Sequence, residues 1–262
     1  MSIQLARRGP RYAFAAFLFA LGLPLVSPAA VSEPSEGARV TLSACSAAPA
    51  ADHACWTALL QRYVKAGPDG VNRVDYAAWA ASKDDRARLE AYLDGFDALD
   101  FEALSRDAAF AAWVNLYNAL TVAHILERYP VDSIRDGYLF SGPWKDVTIS
   151  AGGRTVSLDA IEHDILRQQW DEPRIHYAVN CASIGCPDLK PTAWVAGTLE
   201  ADLDAAARAY INHPRGVRPV EGGVRVSRIY KWFREDFGGS EAGVIAHLKT
   251  YAGPDLAAHL EE

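Results

Sequence analysis

The stretch from Arg106 to Arg128 constrains this chain most. Phe110, Trp113, Val114, Leu116, Tyr117, Leu120, Val122, Ile125 and Leu126 recur at helical spacing, and Tyr129-Pro130 ends the run. At about 100° per residue these side chains occupy nearly every side of the wheel, so the segment predicts a helix buried all round. Such a helix needs other layers around it. Helical spacing recurs at Cys55 to Val64 and Arg86 to Phe96, and Ser157, Thr198 and Ser227 each precede a further helical run. Two hairpins are predicted, Asp146 to Ile149 with Arg154 to Val156 across Gly152-Gly153, and Val217 to Val220 with Val224 to Val226 across Gly222-Gly223. Arg174 to Asn180 alternates polar and apolar residues and predicts a fifth strand. Helices first and hairpins later indicate an α+β fold, a helical layer with a buried central helix packed on a small antiparallel or mixed sheet.

The ends of the chain point to a compartment. Arg7, Arg8 and Arg11 precede an apolar run from Ala13 to Val26 and a small-residue Ser27-Pro28-Ala29 site, so residues 1–29 read as a secretory signal peptide. The apolar run is too short for a spanning helix. A flexible linker is expected over 30–52 and a single globular domain over 53–262, with no membrane span in the mature chain and a periplasmic or secreted location. The formal charge of −7 becomes −10 once residues 1–29 and their three arginines are removed. That sign opposes the counterion-release binding on which nucleic-acid proteins depend.

Polar residues in apolar places mark candidate sites. On the central helix, Tyr117, Thr121 and His124 fall within a sector of about 60°, with Asn118 at its border and Asn115 beyond. A buried Asn needs hydrogen-bond partners, either to tie loops to the core or to serve a ligand. After Ser157, the residues Leu158, Ile161, Ile165 and Leu166 form an apolar arc of about 140° that contains Glu162, with His163 at its edge. A carboxylate there must be paired, with Arg167 or Arg174 available, or take up a proton. On the predicted strand, Arg174, His176 and Asn180 share the face opposite Ile175, Tyr177 and Val179.

Four cysteines in an exported chain suggest disulfides, and adjacency offers Cys45 with Cys55 and Cys181 with Cys186. Cys181 or Cys186 is alternatively a nucleophile activated by His176 or His163, with Asn115, Asn118 or Glu162 orienting it. A redox pair normally has two intervening residues where this one has four, and a metal site lacks a second close pair of ligands. Neither a cofactor nor a metal is expected.

Several ordered blocks carry a family resemblance: Trp113-Val-Asn115-Leu-Tyr117-Asn118, Ser157 to His163, Asp171 to Ser183, Cys186-Pro187, and Ser227 to Trp232 with Asp236-Phe237. From about Ala108 to Gly238 the chain resembles domain of unknown function 547. The order of elements is also similar to papain-like and transglutaminase-like proteins, in which a sheet strand carries the catalytic histidine, here His176. Those enzymes place the nucleophilic cysteine at the start of the buried helix, where this chain has none. The expectation is a thiol-dependent hydrolase or acyltransferase. In it Cys181 attacks an acyl carbon, His176 takes its proton, an Asn side chain stabilises the oxyanion, and Arg174, Asn180 and Tyr117 contact a small-molecule or peptide ligand. The alternative is a non-catalytic ligand-binding or scaffold module stapled by a Cys181–Cys186 disulfide.

Overall fold

Helix α1 (Ala54–Tyr63) leads into the hairpin β1 (Val64–Ala66) and β2 (Asn72–Val74), then α2 (Tyr76–Ala81), α3 (Lys83–Asp94) and the long α4 (Arg106–Arg128). The structure is a computed structural model that describes residues 52–139 and 142–261. The signal segment, nearly all of the linker, and Cys45 with its expected partnership to Cys55 lie outside the described residues. A second hairpin, β3 (Thr148–Ala151) and β4 (Arg154–Ser157), follows α4. A π-helical stretch, Ala160–Leu166, then continues into the single turn α5 (Arg167–Gln169), and α6 (Ile175–Ala178) is another single turn. Helix α7 (Leu199–Ile211) precedes the third hairpin, β5 (Val217–Val220) and β6 (Gly223–Val226). The chain closes with α8 (Ile229–Trp232), a 3-10 turn at Arg234–Phe237, α9 (Glu241–Tyr251) and α10 (Pro254–Leu260).

The fold is α+β, but the strands do not assemble into one sheet. Among the described residues they form three separate antiparallel pairs, β1 with β2, β3 with β4, and β5 with β6. The central helix therefore packs mainly on other helices. Both expected hairpins are present. In the β3–β4 turn Gly152 and Gly153 have φ of 58° and 70°, the pair of left-handed residues that a type I′ turn requires.

Helix α4 is buried along almost its whole length, from Ala109 to Leu126 apart from Ala123. By length and composition it would also suit a bilayer, but here its apolar surface is covered by the protein itself. Ser105 starts it in extended conformation, and its hydroxyl accepts from the Ala108 amide at 3.3 Å. Ser105→Ala is expected to cost about 1 kcal/mol in unfolding free energy, measured by urea titration.

The core falls into two apolar clusters. One surrounds α4 with α1, α3 and the π-helical stretch, and the other gathers α7, β5, α8, α9 and α10. Helix α6 joins them, because Ile175 and Ala178 belong to the first cluster and Tyr177 to the second. The segment expected as a fifth strand is thus a helical turn. Glu172-Pro173 starts it, the Glu172 carboxylate accepting from the Arg174 amide at 2.9 Å, and Val179 N–H closes it on the Ile175 carbonyl. Alternation fails as a guide because all four residues from Ile175 to Ala178 are buried.

Candidate functional site

A cavity of about 280 Å³ opens where α4, the π-helical stretch, α6, the 181–187 loop and α8 meet. Its walls include Tyr117, Glu162, His163, His176, Cys181 and Cys186. Of the candidates expected from sequence, Tyr117, Glu162, His163, His176 and Cys181 therefore share one site. Trp144, Lys145, Asp159, Val179, Ile229, Trp232 and Phe233 complete the lining.

The π-helical stretch presents Glu162 and His163. Ser157 caps its start through the Ala160 amide at 3.0 Å, and the Arg167 amide reaches the Glu162 carbonyl, an i to i+5 bond that widens the turn. Glu162 is only 8% exposed. Its carboxylate accepts from the Tyr117 hydroxyl at 3.1 Å. Burial, and then the Glu162 charge, push the Tyr117 phenol well above its ordinary range, so it stays protonated and donates.

Neither arginine expected to pair with Glu162 hydrogen-bonds to it. Arg167 grips Asp236 bidentately, Nε to Oδ2 at 2.6 Å and Nη2 to Oδ1 at 2.8 Å, and its Nη1 donates to His163 Nδ1 at 3.1 Å. His176 Nε2 meets the same Asp236 Oδ2 at 2.6 Å. Burial would raise the Asp236 carboxyl, but hydrogen bonds from His176 and Arg167 outweigh it and hold the group well below the usual carboxylate range.

These contacts assign the tautomers. Arginine only donates, so His163 Nδ1 accepts and the neutral ring carries its proton on Nε2. An ionised Asp236 only accepts, so His176 donates from Nε2. His176 is 3% exposed, and its ring stacks on Phe233 at 4.0 Å between centroids, with the Arg167 guanidinium 5.1 Å from that ring centre.

Four other candidates lie outside the lining of this cavity and bond within the protein. Asn115 donates from Nδ2 to the Trp194 carbonyl at 2.8 Å and accepts the Trp194 amide at 2.9 Å. Asn118 does the same for the Ala178 carbonyl at 2.9 Å and the Asn180 amide at 2.8 Å. Each amide spends a donor and an acceptor on backbone, and neither Asn is part of the cavity lining. Asn180 binds the Pro187 carbonyl at 2.7 Å and the Ala182 amide at 2.9 Å, holding its own loop. Arg174 pairs with Glu172 at 2.5 Å, Asp204 at 2.7 Å and Glu200 at 2.8 Å, and it is not part of the cavity lining. His124 lines a different cavity beside Glu90 and Glu127, so the polar stripe on α4 is divided between two places.

Cys181 and Cys186 form a disulfide. The thiolate assigned to Cys181 does not exist in this oxidised form, because its sulfur is bonded to Cys186.

Residues 101–211 match the profile of a family described as a protein of unknown function, DUF547. This segment is similar to the DUF547 family. No curated protein and no solved structure matches the chain. The DUF547 segment supplies α4, the π-helical stretch, α6 and the disulfide loop, and so the acidic and histidine side of the cavity. Ile229, Trp232, Phe233 and Asp236 lie beyond it in the chain. The likeness to papain-like proteins requires a strand carrying His176, and that segment is the helical turn α6.

Asp236 has no local signal in the sequence, because it lies 60 residues from its partner His176. The one pattern that touches it is the Asp236-Phe237 block of the family resemblance. Trp232 has no local signal either. It is 65% exposed and lines the cavity, a position that only the packing of α8 reveals.

Proposed function

We propose that the protein is an exported binding module whose cavity takes a small, partly apolar ligand through a hydrogen-bond-donating group such as an amine or amide. The carrying observation is Glu162, a carboxylate 8% exposed in a cavity wall, whose hydrogen bond among the described residues comes from Tyr117 alone. A carboxylate has acceptor sites for about four donors. Those left over are available to a ligand donor at a site more sheltered than bulk water. Trp144, Trp232 and Phe233 provide faces for the apolar part. The Cys181–Cys186 disulfide supports export, since such bonds persist in oxidising compartments.

Trp144 and Trp232 line the cavity, so binding is readable by tryptophan fluorescence against a panel of small amines, amides and their apolar analogues. Ligands with a donor group are expected to quench emission, and Glu162→Gln is expected to weaken them by about tenfold or more, the loss of a charged hydrogen bond. Equal affinity for the variant, or no hit from the donor class, removes this reading.

A thiol-dependent hydrolase or acyltransferase is the second reading. It is favoured by Cys181 and His176 lining the same cavity, and it requires the disulfide to be reduced first. Acyl-ester turnover that appears with reductant and vanishes in Cys181→Ala would support it over simple binding.

A further inference from the structure

We propose that the Cys181–Cys186 disulfide is a redox site that exchanges with low-molecular-weight thiols entering the cavity. Both cysteines are half-buried and line the cavity, whereas an inert structural disulfide is expected to be shielded. The cavity volume of about 280 Å³ suits a small thiol.

The loop does not depend on the sulfur bridge for its shape. Asn180 spans it to Pro187, the Tyr210 hydroxyl donates to the Gly185 carbonyl at 2.6 Å, and Arg215 donates to the Cys186 carbonyl at 2.8 Å. Asn118 anchors the start of the loop to α4 through the Asn180 amide. A bridge only five residues apart in sequence also restrains the unfolded chain less than a long loop would. Opening it therefore leaves the surrounding fold pinned by other groups. Ala182 holds a left-handed φ of 53° next to Cys181, a conformation costly for a residue with a Cβ and of the kind found at functional loops.

The exchange balances without any further reagent. A thiolate RS⁻ attacks Cys181 Sγ, the Cys181–Cys186 bond breaks, and Cys186 leaves as a thiolate. A second RS⁻ attacks the R sulfur of the mixed disulfide, releasing RSSR and the Cys181 thiolate. Two thiols are oxidised, the protein disulfide is reduced by two electrons, and the two thiol protons end on the protein cysteines or in the buffer.

Thiol entry needs only the cavity and does not require the donor ligand proposed above. The test is the rate at which reduced glutathione opens the disulfide in the oxidised full chain, under native conditions and in concentrated urea. Alkylation and mass spectrometry give the rate, and circular dichroism follows the fold. Reduction about tenfold faster in the native protein, with the dichroism retained, is expected. A native rate equal to or below the unfolded one, or loss of the fold on reduction, overturns the proposal. A chain that binds no amine or amide still passes or fails this test, so the two readings fail separately.

Discussion

Asn115→Ala is expected to lower the unfolding free energy by about 3–4 kcal/mol. The substitution strands the Trp194 amide and carbonyl, both paired with Asn115 at 2.9 and 2.8 Å inside a core where Asn115 itself has no exposure. Each buried backbone group left without a partner costs about 1–3 kcal/mol, far more than the net value of one bond in solvent. Helix propensity works the other way, since Ala is the better helix former by a few tenths of a kcal/mol. The packing term wins by its size. Urea unfolding with tryptophan emission as the probe decides it, and a loss below about 1 kcal/mol would show that the Trp194 backbone finds other partners.

Asp236→Asn is expected to cost about 3 kcal/mol at pH 7, at the lower end for a buried ion pair because Asp236 keeps some solvent contact. The carboxylate is the common acceptor of Arg167 and His176, and replacing it leaves the half-buried Arg167 charge without its counterion. The pH dependence follows from the direction of the shift. The folded carboxyl is depressed, so the native state gains stability wherever the unfolded carboxyl is ionised and the folded one stays so. The gap between wild type and Asp236→Asn is therefore full above about pH 5. It narrows as the pH falls through the unfolded value of about 3.9 toward the lower folded one. Urea curves at pH 7 and at strongly acidic pH check this, and a gap that does not change with pH would remove Asp236 as an ionised partner.

Much of the helical frame is legible in the amino-acid sequence. Arg106 to Arg128 shows apolar residues on all sides, and α4 has those ends. Gly152-Gly153 marks a hairpin through the backbone conformation it allows, and Ser157 marks the start of a helical run through its hydroxyl. These signals are local, set by the periodicity of side chains and by what one residue does to its neighbours. The Arg174 to Asn180 segment shows where local signals mislead. Alternation identifies a strand only when one face is wet, and here both faces are buried.

The site divides along the same line. Composition and pattern mark Tyr117, Glu162, His163, His176 and Cys181 as polar or reactive groups that need an explanation, and the fold brings all five to one cavity. Nothing local distinguishes them from Asn115, Asn118, Asn180 and Arg174, which bond to backbone or to carboxylates and are not part of the cavity lining. A side chain's residue type states how many hydrogen bonds it requires, while only the packed chain states which partners meet that requirement. Sequence by itself determined the α+β class, the long buried helix, two of the hairpins and the groups capable of chemistry. Tertiary structure alone decided that Asp236 locks His176, that Tyr117 donates to Glu162 in a cavity wall, and that Cys181 is spent on Cys186. The physical reason is distance in sequence, because hydrogen bonding and burial act over a few ångströms between residues that periodicity cannot connect.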